Sequence, residues 1–284
     1  MSQAVDPKPP AGAITAVLVF AEAGDSGRAL VAAAGALARD FDARLIGLGA
    51  QGLHPMPASS PYGGVTTAHW VAEMTAQLET ELAEAETTFA AAAQGLALEW
   101  RTAHDMPARA MAAHARSADL LVIRATAQRD YFRTVDPGEL VLHAGRPVLL
   151  APQSDTPLRG EAVVVGWKET RESRRALADA LPLLRRARTV ALTAVHGPGE
   201  GAASAAALEQ VCAYLAGHGI AAEPSPIEAP DADVVDLLNA RAQAIGADLI
   251  VTGAYGQSRL REWVFGGVTR RLMDEPRTWL FMSH

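Results

Sequence analysis

The sequence predicts an α/β fold built twice, as two tandem domains that are each a five-stranded parallel sheet with helices on both faces. Three observations predict it. Short runs of β-branched residues and leucine alternate with long Ala/Leu-rich stretches, the pattern of strand–helix–strand units. The apolar runs recur in the same order in both halves of the chain. The length of 284 residues suits two domains of about 140 better than one.

The first domain is placed at residues 13–152. Its first strand is Ala16-Val-Leu-Val-Phe20, which recurs as Ala162-Val-Val-Val-Gly166. A Gly/Pro/Ser-rich loop, residues 51–65, connects or covers something; it accounts for most of the extra length of this half. The fourth strand, Ala118 to Arg124, recurs as Ala247 to Gly253, and the last, Arg146 to Pro152, as Arg277 to Ser283. The polar segment from Gln153 to Gly160 contains Pro and Gly and reads as the linker. The second domain follows at 161–284. The last strands, Pro147–Leu150 and Trp279–Met282, are expected to pair within the chain, because exposed sheet edges aggregate.

Composition narrows the function classes. Hydrophobic residues make up 49% and aromatic ones only 5%, so helices pack on sheets through small side chains. A net charge of −7 argues against a nucleic-acid-binding surface. The single Cys212 excludes an internal disulfide and a cysteine-rich metal site, and reads as a small core residue on a helix. No apolar run approaches the ~20 residues of a membrane span, and the polar, Pro-rich Met1–Gly12 is no signal peptide. A soluble, cytoplasmic protein is expected.

The richest local signal lies after the run Asp248-Leu-Ile-Val-Thr252. There stand Gly253-Ala-Tyr-Gly256, nine further residues, then Gly266-Gly267-Val-Thr269. Glycines let backbone approach a ligand and present N–H groups. A short helix from Val268 to Asp274 would offer its N-terminus to an anion. Strand, glycine turn and helix start together form a phosphate cradle. The region 251–284 holds five basic and three acidic residues in an acidic chain, which suits a polyphosphate.

This spacing resembles the ATP-binding signature of the universal stress protein family, as do the flanking Ala247–Arg261 and Trp279–His284. The resemblance implies a Rossmann-like, adenine nucleotide alpha hydrolase-like fold and ATP, with or without Mg2+, as ligand. It assigns base contacts to Gly166, Trp167 and Lys168 after the first strand of the second domain and to Val195 after its second strand. Phosphate contacts go to Gly253, Gly256, Gln257, Ser258, Arg259, Gly266, Gly267, Val268 and Thr269. Two departures stand out. Gly267 occupies a position where the family usually has Ser or Thr, and Lys168 one where it has an Asp. An ammonium cannot accept a hydrogen bond from the adenine amino group, so Lys168 reaches a phosphate or points to solvent. Trp167 stacks on the base or belongs to the core. In the first domain Arg124 replaces Gly253, so that copy is expected to have lost its nucleotide.

Other motifs compete. Gly197-Pro-Gly199-Glu-Gly-Ala202 fits a dinucleotide pattern, with Glu223 about 20 residues on, yet Pro198 removes an amide and the motif follows a second strand. His104-Asp105 sits at a strand end, where a metal or anion would fit, and His114 and His143 read as packing or solvent residues. No P-loop or nucleophile elbow is present, and no paired carboxylates stand out as an acid–base couple. The expected function is an ATP-binding, non-enzymatic universal stress protein acting as a stress-response or partner-binding switch. Its partners would be an adenine nucleotide and an unidentified protein, with the two domains forming an internal pseudo-dimer and a homodimer left open. A scaffold that binds no nucleotide and a slow ATPase or phosphotransfer enzyme are the alternatives.

Overall fold

The computed structural model describes residues 13–55, 65–126, 130–229, 234–256 and 267–284. The N-terminal half runs β1 (Ala16–Phe20), α1 (Gly24–Asp40), β2 (Arg44–Ala50), α2 (Val65–Ala92), β3 (Leu98–Ala103), α3 (Pro107–His114), β4 (Leu120–Arg124), α4 (Pro137–His143) and β5 (Val148–Ala151). The C-terminal half repeats this as β6 (Ala162–Gly166), α5 (Arg171–Leu184), β7 (Thr189–His196), α6 (Gly201–Gly217), β8 (Glu223–Glu228), α7 (Val234–Ile245), β9 (Leu249–Gly253), α8 (Gly267–Asp274) and β10 (Trp279–Ser283). The stretch 153–160 between them carries neither helix nor strand. Most of the loop expected at 51–65 lies outside the described residues.

All ten strands form one sheet in the order β3-β2-β1-β4-β5-β10-β9-β6-β7-β8. Every pairing within each half is parallel. Parallel strands covered on both faces must be apolar throughout, and β1 is accordingly buried at all five positions. Side chains alternate across the sheet. Val163 and Val165 of β6 join the core beneath α1, α2, α5 and α6, while Val164 joins the core on the opposite face, beneath α3, α4, α7 and α8. Helix α1 shows why aromatics are few. Its buried stripe is Gly27, Leu30, Val31, Ala34, Gly35, Leu37 and Ala38, at helical spacing and with four residues no larger than alanine. Two helix starts are fixed by side chains: Asp136 accepts from Glu139 N ahead of α4, and Thr170 accepts from Ser173 N ahead of α5.

The two halves meet where the sequence places their last strands together. β5 and β10 pair antiparallel, with Leu280 opposite Leu150, Phe281 opposite Leu149 and Met282 opposite Val148. All six side chains are buried. The indole of Trp279 donates to Thr156 O at 2.8 Å and ties the linker to the seam.

The outer edges are β3 and β8. In β8, Ala229 N donates to His196 O just past the strand end, so by alternation the odd-numbered amides face β7. Pro224 and Pro226 therefore occupy the positions whose amides would face outward, and that edge lacks two donors. Cys212 lies on α6, a helix as expected, and is half-buried against the core rather than within it; burial, reinforced by Glu209, pushes its thiol up, away from nucleophilic reactivity. Among the described residues no helix is long and apolar enough to cross a membrane.

The seam predicts a large cost for truncation. Phe281→Ala should lower the unfolding free energy by about 3–5 kcal/mol in urea titration. A loss below ~1 kcal/mol would show that the halves do not depend on their shared strand pair.

Candidate functional site

In an open α/β sheet a ligand sits beyond the carboxyl ends of the strands where the winding direction reverses. In the C-terminal half that point lies between β6 and β9: the chain leaves β6 for α5 on one face and β9 for α8 on the other. The segments arriving there are 167–170 after β6, 254–256 after β9, and the start of α8.

The first glycine of the signature has a packing reason. A Cβ on Gly253 would lie 2.5 Å from the backbone C of Glu172 and N of Ser173, so only glycine lets the first turn of α5 lie against β9. Ala254 N then donates to Ser283 O at 2.9 Å. Tyr255 adopts φ 58°, and its N–H donates to Thr269 Oγ1 at 3.3 Å. The amides of Ala254 and Tyr255 are thus engaged within the protein, and an anion is left to Gly256 and the first turn of α8. Gly267 heads α8 one residue earlier than the sequence suggested, and a Cβ there would meet nothing within 4 Å among the described residues.

The remaining site residues divide. Thr269 is buried with its hydroxyl accepting from Tyr255 N–H, which leaves the hydroxyl proton to donate. Val268 is exposed, and Val195 is half-buried near the end of β7. Gly166 abuts Leu238 of α7. Trp167 is 8% exposed, lies in the core on the α5 and α6 face, and donates its indole N–H to Glu169 at 2.7 Å. The ammonium of Lys168 is exposed and makes no ion pair among the described residues. Gln257, Ser258, Arg259 and Gly266 lie outside the described residues.

The two helix arginines that suited a polyphosphate have carboxylate partners. Arg270 faces Asp274 at 3.5 Å, and Arg271 donates to Asp236 at 2.9 Å. A one-dimensional charge count cannot reveal such pairing. Sequence reasoning also missed Glu172. Its side chain is 3% exposed, Oε1 accepts from Arg171 Nε at 2.5 Å, and Oε2 has no hydrogen-bond partner among the described residues. Burial alone would raise its carboxyl; hydrogen bonding, first of all from Arg171, outweighs that and holds it below the ordinary value. Its position in the first turn after Thr170 was the available signal.

The same positions in the N-terminal half are filled differently. Ala21 N bonds Leu48 O as Trp167 N bonds Thr193 O, so Glu22 stands where Lys168 stands. Arg124, in place of Gly253, is 11% exposed and clamps the linker through Pro152 O, Gln153 O and Asp155. Burial pushes the Glu22 carboxyl up, against the pull of Arg124.

The competing motifs do not gather ligand groups. Gly197 N already donates to Glu200 Oε2 at 3.0 Å, which puts a carboxylate where a pyrophosphate would sit. Asp105 accepts from Met106 N, and among the described residues no cluster of three His, Cys, Asp or Glu side chains could hold a metal.

Solved structures share this architecture. A universal stress protein from Archaeoglobus fulgidus DSM 4304 superposes with a TM-score of 0.67 at 15% identity, over 94% of this chain and 97% of that one. A functionally unknown protein from Pseudomonas aeruginosa PAO1 superposes with a TM-score of 0.58 at 16% identity, over 96% and 93%. The likeness establishes a tandem universal stress protein fold. No protein-family model matches the sequence, and no curated protein matches it.

Two predictions follow from the geometry. Gly253→Ala must displace the α5 backbone and should cost about 1–3 kcal/mol, whereas Gly267→Ala should leave stability unchanged or raise it by up to ~1 kcal/mol; equal effects in chemical denaturation would contradict the packing role. For Glu22 the folded-state pKa is raised, so its contribution is full below the ordinary 4.5 and lost as pH rises through the folded value. Glu22→Gln should therefore raise the melting temperature at pH 7 and have no effect near pH 4, and an absence of gain at pH 7 would refute the burial argument.

Proposed function

We propose that the chain is a tandem universal stress protein that binds ATP in a C-terminal domain (161–284) and acts by binding rather than turnover. The N-terminal domain (13–152) is its partner, without the nucleotide. The observation that carries this reading is the space that the described residues leave at Gly267, at the head of α8 and beside the carboxyl end of β9. Arg124 supports the asymmetry, because a guanidinium occupies the first-half position that Gly253 holds in the second.

The residues present fit an adenine nucleotide at several points. The N-terminus of α8 favours an anion, the Thr269 hydroxyl retains a proton to donate, and Lys168 extends an ammonium from the β6 end. ATP, when bound, would supply a flat base and a chain of negative charge. A switch has a physical route in Tyr255. It stands inside the signature, and a Cβ on Gly138 of α4 would come within 2.4 Å of its hydroxyl. A change at the 253–256 turn would thus press on the N-terminal half. Cytoplasmic location and an unidentified protein partner belong to this proposal. The pairing of Arg270 and Arg271 with carboxylates favours the second reading, a scaffold of the same fold without nucleotide.

Mass spectrometry of small molecules released by denaturing the purified protein should find one adenine nucleotide per chain. MgATP at 100 times its dissociation constant should stabilise the fold by about 2.7 kcal/mol, and Gly256→Arg should abolish the effect. ATP hydrolysis lost with Gly256→Arg would reverse the non-enzymatic part, and released NAD would transfer the site to Gly197. Neither ligand nor stabilisation would leave the scaffold reading.

A further inference from the structure

The turn that would receive phosphates also receives a carboxylate oxygen. Glu172 Oε2 is buried and unpartnered, and a Cβ on Gly256 would sit 3.5 Å from it. The neighbouring groups leave that oxygen unsatisfied. Arg171 serves Oε1. The Thr170 hydroxyl is hydrogen-bonded to Ser173, and it is the methyl of Thr170 that stands nearest Gly256, 3.2 Å from the same Cβ position. A buried acceptor without a partner is costly, and an ionised carboxylate accepts only. It calls for a hydrogen-bond donor or a cation.

Bare phosphates supply neither and would be repelled. Of the described cations, Arg270, Arg271 and Arg171 are each matched to a carboxylate, and Lys168 is exposed to solvent and not hydrogen-bonded to Oε2. A nucleoside monophosphate would lessen the repulsion and still leave Oε2 without a partner. A magnesium-sized cation meets both conditions at once. Such ions are commonly held by one or two protein carboxylates, phosphate oxygens and water rather than by a complete protein cage. The absence of a three-ligand cluster among the described residues is therefore compatible with one carboxylate sufficing.

We propose that Glu172 is the protein's own ligand for a divalent cation carried in by the nucleotide, so that the site accepts the metal complex of ATP and rejects the bare polyanion. The inference rests on the nucleotide reading above and assigns a cation-binding role to a residue outside the glycine signature. Glu172 sets which charge state of the ligand enters.

Calorimetric titration of the full chain with ATP plus Mg2+, ATP plus EDTA, and AMP tests it. The wild type should bind MgATP at least roughly ten-fold more tightly than metal-free ATP and more tightly than AMP. Glu172→Gln, which keeps an acceptor for Arg171, should bring the two ATP affinities together, chiefly by strengthening metal-free binding. Equal affinities in the wild type, a ratio retained in Glu172→Gln, or AMP bound best would each overturn the inference while leaving nucleotide binding intact. No binding of any nucleotide would overturn the nucleotide reading and this inference with it. If Glu172→Gln does not fold, Arg171→Ala carries the test: freeing the carboxylate of its neutralising partner should widen the Mg2+ dependence, and an unchanged or narrower ratio would overturn the proposal.

Discussion

The antiparallel pairing of β5 with β10 is the constraint on which the rest of the molecule depends. Each half alone would end in a strand whose backbone groups are satisfied on one side only. Joining the two removes both edges and makes the apolar layers continuous, so Leu149 and Phe281 lie in one core while Leu150, Leu280 and Met282 lie in the other. The same seam brings α4 to α8 and seats Tyr255 against Gly138. The coupling between the glycine turn and the opposite half is thus a by-product of closing the sheet.

Two copies of one scaffold have been filled in opposite ways. At equivalent positions, the N-terminal half places Glu22 and Arg124 within electrostatic reach of each other, and Arg124 also grips the linker. That crevice is filled by the protein's own side chains. The C-terminal half has Lys168 and Gly253 there, an exposed ammonium and a residue with no side chain, and its Glu172 retains an unpartnered oxygen. A filled crevice in one copy and an open one in the other follow from a few side chains, with the strand order unchanged.

The sequence revealed the architecture well because its signals are local or repetitive. The apolar runs of β1 and β6 match the observed strands residue for residue, and the expected pairing of the last strands is the observed one. The site was less legible. Gly253 reads in sequence as a place for a ligand, and only the nearness of α5 shows that a helix also needs it. Arg271 reads as free charge because its partner Asp236, on α7, is more than 30 positions away, whereas the partner of Arg270, Asp274, stands one helical turn on and was open to a reading by spacing. Glu172 shows in sequence only as an acidic residue in the first turn after Thr170; its demand arises from burial, which one dimension does not display. Trp167, left open between base and core, stands in the core with its indole satisfied by Glu169.

The prolines of β8 set a limit on assembly. A continuous ten-stranded sheet would be expected to grow at both ends, yet Pro224 and Pro226 remove two outward donors from one of them, whereas β3 contains no proline. Polymerisation needs two different adhesive ends, head joined to tail without closure. With a single competent end, a second copy added edge to edge would have to meet this chain β3 to β3, and the pair would then have nothing left to offer. By this route a sheet would pair once rather than propagate into a fibre.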